Sequence, residues 1–161
     1  MTASDFNSCV DLYADSLFRF IVKNLKDQDA ARDVVQDTFE KMWRKLSSVD
    51  FDKAKSYLFT TAYHTMIDKI RKEQRSGLLE SHHENLVQTE NSFTDLKSIL
   101  DKALNTLSQI QRSVILLRDY EGYSYEEIGS ITGLNESQVK VYIYRARMSL
   151  RSYLGERGQI L

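Results

Sequence analysis

Between Ser124 and Leu154 the chain reads SYEEIGSITGLNESQVKVYIYRARMSLRSYL, a stretch dense in side chains that can bind a polyanion. Val139, Ile143, Ala146 and Leu150 recur at intervals of four, three and four, so a helix would carry them on one stripe. Ser137, Val141, Tyr144, Arg145 and Met148 fall away from that stripe, and Lys140 and Arg147 flank it. From Gln138 to Arg157 five cations (Lys140, Arg145, Arg147, Arg151, Arg157) stand against one anion, Glu156. Upstream, Ser124 with Glu127 forms a capping box, Gly133 suits a left-handed helix end, and Asn135 with Gln138 opens the basic helix. A helix with an apolar back and a basic front, entered through a short glycine turn, is the helix-turn-helix design. An ordinary helical hairpin with a solvated basic face has the same local pattern.

A second constellation interleaves Tyr57, Tyr63 and His64 with Lys69, Arg71, Lys72 and Arg75 on what the spacing places as the outer side of a helix. Rings beside cations suit unpaired nucleic acid, because bases stack on rings while cations follow phosphates. Partly buried rings above a solvated basic tail would look alike. A third group, Asp33, Gln36, Asp37 and Glu40, is acidic and amide-bearing, a face that is commonly just solvated but also fits a basic partner. No paired carboxylates, nucleophile–base set or metal-ligand spacing stands out, so no catalytic residue, metal or cofactor is expected. His82 and His83 are adjacent, point different ways in any regular element, and lack a spaced third ligand. Cys9, the single cysteine, sits among apolar positions as a small core residue and excludes an internal disulfide.

These groups need helices to position them. The chain of 161 residues has no proline, six glycines and 42% hydrophobic residues, which favours helices joined by short turns in one or two small domains. A net charge of −1 means that nucleic-acid binding must come from local patches. The spacing predicts helices from about Asp5 to Asn24, Ala30 to Leu46, and Ser56 past Ile70. Asp27 or Asp29 can cap the second, and a loop around Phe51 separates it from the third. Residues 77–92 lose the periodicity, carry Glu80, Glu84 and Glu90, and contain no Lys or Arg, which marks a linker. A second helical unit follows, with helices over Leu96 to Leu107 and from the Ser108–Gln111 capping box through Arg118. The expected fold class is all-α: a domain over 1–76, a flexible acidic linker over 77–92, and a helix-turn-helix domain over 93–161. No run approaches a membrane span and the start MTASDFNS lacks a basic–apolar signal, so the expected compartment is the cytoplasm.

In order and spacing the segments resemble the extracytoplasmic-function group of bacterial RNA polymerase sigma factors, in the sigma-70 family. Asp33-Val34-Val35-Gln36-Asp37-Thr38-Phe39 with Trp43 is similar to that group's core-binding helix. Tyr57-Leu58-Phe59, Ala62, Ile67-Asp68 and the run Lys69 to Arg75 are similar to its promoter-melting helix, with His64 where Asn is frequent. Gln111-Arg112-Ser113-Val114, Glu121 to Gly129, Gly133-Leu134 and Val139-Lys140 with Arg145-Ala146-Arg147 are similar to its upstream-element domain.

The resemblance implies a non-enzymatic protein that gives core polymerase its promoter choice. Its partners would be both large subunits, promoter DNA and a membrane-linked anti-sigma protein. Core binding would fall to Asp33, Gln36, Asp37, Phe39, Glu40 and Trp43, and minus-ten DNA to Phe51, Tyr57, Tyr63, His64, Lys69, Arg71 and Lys72. In the minus-thirty-five domain, Asn135, Ser137, Gln138, Val141 and Arg145 are best placed for base edges, and Ser124, Tyr125, Lys140 and Arg147 for phosphates. A stand-alone helix-turn-helix regulator is the rival function, and it would bind a palindrome as a dimer.

Overall fold

The computed structural model describes residues 1–77 and 95–156. Contacts divide the chain into two units, Met1–Val87 and Gln88–Leu161. The expected linker, Gly77 apart, lies outside the described residues, as do Glu80, His82, His83, Glu84, Glu90 and Arg157. Among the described residues all regular structure is helical.

The first unit holds α1 (Ala3–Leu25), α2 (Gln28–Arg44) and α3 (Ala54–Ser76), each packed on the other two. Thr2 opens α1 with a capping box closed by Asp5, a start the periodicity alone did not mark. Lys26 then takes the left-handed conformation (φ 61°), and the carboxylate of Asp27 accepts the Ala30 N–H (3.1 Å) to start α2. That reversal within two residues sets α1 against α2. The core is built from Cys9, Leu17, Phe20 and Ile21 of α1, Val34 and Met42 of α2, and Leu58, Phe59, Ala62 and Met66 of α3. Each fully buried Leu, Ile, Val, Phe or Met side chain here contributes about 1.5–3 kcal/mol. The α2 helix ends two residues earlier than its apolar pattern suggests: Leu46–Ser48 and Phe51–Lys53 are single 3₁₀ turns, with Val49 buried between them.

The second unit contains α4 (Asp95–Asn105), α5 (Gln109–Ile115), α6 (Tyr125–Thr132) and α7 (Glu136–Glu156). Both capping boxes expected here are formed: Gln111 N–H donates to Ser108 Oγ (3.3 Å) and Glu127 N–H to Ser124 Oγ (3.1 Å), with the reciprocal bonds present. The helix after Ser108 does not simply run out. It widens into a π turn over Leu116–Tyr120, where Glu121 N–H donates to Leu116 O (3.1 Å), and this inserted turn buries Leu116 and Leu117 together. Ile128 and Ile131 of α6 and Val139, Ile143, Ala146 and Leu154 of α7 complete the core. Leu150, expected on the same stripe, is half-buried.

Two features tie this unit together. Arg112 is buried (6% exposed) and donates from Nε to Leu104 O (3.0 Å) and from Nη2 to Leu107 O (2.8 Å), satisfying carbonyls at and beyond the end of α4. At the α6–α7 corner Gly133 takes the left-handed conformation (φ 84°), and a Cβ on Gly129 would lie 2.7 Å from the backbone oxygen of Leu134. Gly129→Ala should therefore destabilise this unit by about 1–3 kcal/mol. Alanine's better helix propensity, worth about 1 kcal/mol, does not compensate, because a backbone oxygen cannot swing aside. Chemical denaturation reads the effect; an unchanged midpoint would mean that the corner has room to open.

Candidate nucleic-acid and polymerase interfaces

The α7 helix buries one stripe and turns the opposite side outward. Val141, Tyr144 and Met148 are exposed at 44%, 65% and 46%, and Ser137 and Arg145 are exposed beside them. Asn135, Ser137, Gln138, Val141 and Arg145, all expected at base edges, line one shallow open notch together with Tyr142, which the spacing did not single out. The notch lies on the N-terminal half of α7, the part of a recognition helix that meets base edges in helix-turn-helix docking.

The phosphate-class residues are organised around Tyr125. The Arg118 guanidinium lies 4.4 Å from its ring centroid and Lys140 Nζ 5.7 Å away, both cation–π distances. Arg118 also donates from Nη1 to Tyr123 O (2.9 Å), which fixes the loop leading into α6. Sequence spacing missed Arg118, because it lies in the π turn and reaches Tyr125 only through that widened geometry. Ser124 is the N-cap of α6, and its hydroxyl oxygen accepts the Glu127 N–H. Arg147 differs from its neighbours: its Nη2 donates to Asp119 Oδ1 (2.8 Å), and that bond holds its pKa above the usual arginine value. Lys140 pairs more loosely with Glu136 (3.6 Å).

In the first unit Asp33, Gln36, Asp37 and Glu40 are exposed along α2. Gln36 Nε2 donates to Glu40 Oε1 (3.4 Å), and Arg44 stands 3.8 Å from the same carboxylate. Phe39 does not join them on the surface as expected. It is 9% exposed and meets Phe6 edge-on, with ring centroids 6.1 Å apart. The aromatic group the face presents is Trp43, 52% exposed and propped edge-to-face on Phe6 (5.0 Å). Phe6 thus supports both rings from α1, a role no spacing within α2 can reveal.

The α3 face is corrected at one position. Tyr63, expected outward with Tyr57 and His64, is buried (6% exposed), and burial raises its pKa while nearby Arg71 acts in the opposite sense. The buried set on α3 includes Phe59, Ala62, Tyr63 and Met66, the three-and-four pattern of an apolar stripe. A run of steps of four, Leu58 to Ala62 to Met66 to Ile70, drifts around the helix by about 40° per step and ends on Ile70, which is only half-buried. His64 is exposed and sits edge-on to Tyr63 (5.7 Å). Tyr57 is half-buried, its hydroxyl 3.5 Å from Lys41 O, and Lys41 Nζ donates to Thr65 Oγ1 (2.9 Å), so α2 and α3 are stitched by polar contacts as well. Arg71 and Lys72 are exposed, and Lys69 stands 3.8 Å from Glu73. Phe51 is 40% exposed in the second 3₁₀ turn. The preceding turn is held by the Met1 ammonium, which donates to Leu46 O and Val49 O (3.0 Å each).

Known proteins share both units. The family model described as sigma-70 region 2 matches residues 9–76, and that described as sigma-70, region 4, matches residues 97–150. The chain is 30% identical over 148 residues to the RNA polymerase sigma factor YlaC of Bacillus subtilis, covering 86% of each chain. It is 28% identical over 152 residues to the ECF RNA polymerase sigma factor SigM of the same organism, covering 91% of this chain and 93% of SigM. Among solved structures, the sigma factor RpoE bound to the anti-sigma factor NepR from Bartonella quintana superposes with a TM-score of 0.78 at 30% identity, covering 95% of this chain and 98% of RpoE. CnrH, solved with the cytosolic domain of CnrY, shares the fold with a TM-score of 0.69 at 24% identity.

The burial of Tyr63 separates a core ring from a stacking platform. Tyr63→Ala should cost about 3–5 kcal/mol of stability in the first unit, as large aromatic truncations in cores do, while His64→Ala should leave the unfolding midpoint near the parent's. Equal midpoints for the two variants would place Tyr63 on the surface after all.

Proposed function

The chain belongs to the extracytoplasmic-function sigma factors of the sigma-70 family, and from that premise we propose how its surfaces divide the work of promoter selection. It is an RNA polymerase sigma factor: it binds core polymerase, directs it to promoter DNA and starts transcription there. The α2 face of Asp33, Gln36, Asp37, Glu40 and Trp43 docks on a basic surface of the polymerase. Acidic side chains there steer and orient the encounter, and the half-exposed Trp43 provides the anchor that aromatic residues supply at interface centres. Phe39 acts from beneath through Phe6 rather than by touching the partner.

Phe51, Tyr57, His64, Lys69, Arg71 and Lys72 receive the melted minus-ten strand. Unstacking a base costs a few kcal/mol, and stacking on a ring returns about 1–3 kcal/mol per base, so Phe51, exposed in a turn with a buried anchor at Val49, is the ring best placed to hold an unpaired base. The notch on α7 reads the minus-thirty-five element, with Ser124, Tyr125, Lys140 and Arg147 on the flanking phosphates. No reaction is assigned to the chain itself; the polymerase supplies the chemistry. An anti-sigma protein is its proposed regulator, since RpoE of Bartonella quintana is solved with one. The proposed compartment is the cytoplasm, where core polymerase and promoter DNA are found. No described helix is long and apolar enough to cross a membrane, which agrees with that placement.

The observation that carries the assignment of the upstream element is the single notch joining Asn135, Ser137, Gln138, Val141 and Arg145 on the outward side of α7. Arg145→Ala should weaken binding to the upstream element by about 1–3 kcal/mol and relax preference at one base pair. Holoenzyme titrations on duplexes varied at each position measure both. Equal loss on every sequence would move Arg145 to the phosphate class. Pull-down with core polymerase followed by run-off transcription tests the whole assignment. A chain that ignores core enzyme and binds a palindrome as a dimer would be a stand-alone regulator instead.

A further inference from the structure

The start of α7 is closed by two reciprocal hydrogen bonds: Gln138 N–H donates to Asn135 Oδ1 (2.8 Å), and Asn135 N–H donates to Gln138 Oε1 (3.0 Å). A backbone N–H can bond only to an acceptor, so the contacts themselves settle which end of each amide is oxygen. Both oxygens are thereby turned back onto the helix start, which leaves the NH₂ as the other end of each side chain. Both residues are exposed and border the notch shared with Val141 and Arg145. Arg145 adds a guanidinium, which has five N–H donors and no acceptor. At 135, 138 and 145 the notch therefore offers donors, and at 141 it offers methyl groups.

We propose that Gln138 is a donor-only specificity determinant: held by the capping box, it gives its NH₂ to an acceptor on a base edge and does not complete the two-bond pair that a free glutamine makes with adenine. This deepens the assignment of α7 to the promoter's major groove and rests on it. In that groove the acceptors are purine N7, guanine O6 and thymine O4, while cytosine N4 and adenine N6 are donors. A glutamine free to use both ends favours adenine by donating to N7 and accepting from N6. To accept from an adenine amino group as well, Gln138 Oε1 must share itself between that donor and the Asn135 N–H, or give up the cap of α7. With its oxygen engaged by the cap and its NH₂ left free, Gln138 favours acceptor edges over the cytosine amino group. Asn135 is bound by the same constraint from the other side of the pair.

Gln138→Glu separates the cap from the reading. A glutamate carboxylate still accepts the Asn135 N–H, and Glu is a regular partner in capping boxes, but its outward atom becomes an acceptor. Holoenzyme assembled from core polymerase and the full chain is used to select promoters from a library randomised across the upstream element, and run-off transcription verifies them. For Q138E the unfolding midpoint should stay at the parent value. Preference at one position should move from guanine or thymine towards cytosine or adenine, by roughly three- to tenfold, the worth of one hydrogen bond. At that position with the parent chain, deleting the acceptor that is used (N7 by a 7-deazapurine, O6 by 2-aminopurine in place of guanine, or O4 by 5-methyl-2-pyrimidinone in place of thymine) should lower binding by a similar factor. Deleting the amino group of an adenine should leave binding unchanged. The proposal is overturned if that deletion weakens binding, if Q138E lowers use of all promoters equally, or if Q138E alters no preference. A holoenzyme that selects no promoter overturns the sigma-factor assignment itself, and the proposal with it.

Discussion

Burying Val139, Ile143 and Ala146 on one side of α7 fixes the rotation of that helix about its own axis, and the rest of the second unit follows from it. With that stripe inward, Val141, Arg145 and Met148 have nowhere to be but outside. The close approach of Gly129 to Leu134 O and the left-handed Gly133 then set where α7 begins relative to α6. The same logic governs α2. Ala31, Val34, Thr38, Phe39 and Met42 face inward, so Asp33, Gln36, Asp37 and Glu40 are displayed as a row. Neither surface is positioned by its own polar residues; each is the far side of an apolar decision.

Arg112 shows how a charge can serve such a core. Burial pulls its pKa below the ordinary guanidinium value, yet from so high a starting point that the group stays protonated. Its donors then complete the backbone of the α4 end, where carbonyls would otherwise lack partners. Removing such a group would strand those acceptors in the interior, a larger loss than the bonds themselves are worth. Lys41 does comparable work between α2 and α3 through Thr65, at a less buried site.

Much of this was legible in the residue order. Helix starts were readable because a hydroxyl or amide three residues before a Glu or Gln satisfies orphan N–H groups, and Ser108, Ser124 and Asn135 are caps in the structure. The outward face of α7 was readable because its inward stripe has three-four spacing. What escaped depended on partners far away in sequence. Phe39 and Trp43 are four residues apart on one helix, and only Phe6, from α1, decides that one is covered and the other displayed. Tyr63 escaped because a stripe built in steps of four drifts, and the true centre of burial on α3 lies over Phe59 and Ala62. Arg118 escaped because the π turn that aims it at Tyr125 has no signature in spacing.

The ion pair between Arg147 and Asp119 bears on how this surface responds to ionic strength. Binding DNA is driven largely by expelling condensed counterions, one for roughly each phosphate neutralised. An arginine that leaves a carboxylate for a phosphate expels a cation from the duplex but gives up an attraction that salt also screens, so the two salt dependences partly cancel. Lys140, beside Glu136, is partly in the same position. The sensitivity of this surface to added salt should thus fall short of what the count of basic residues on α7 implies.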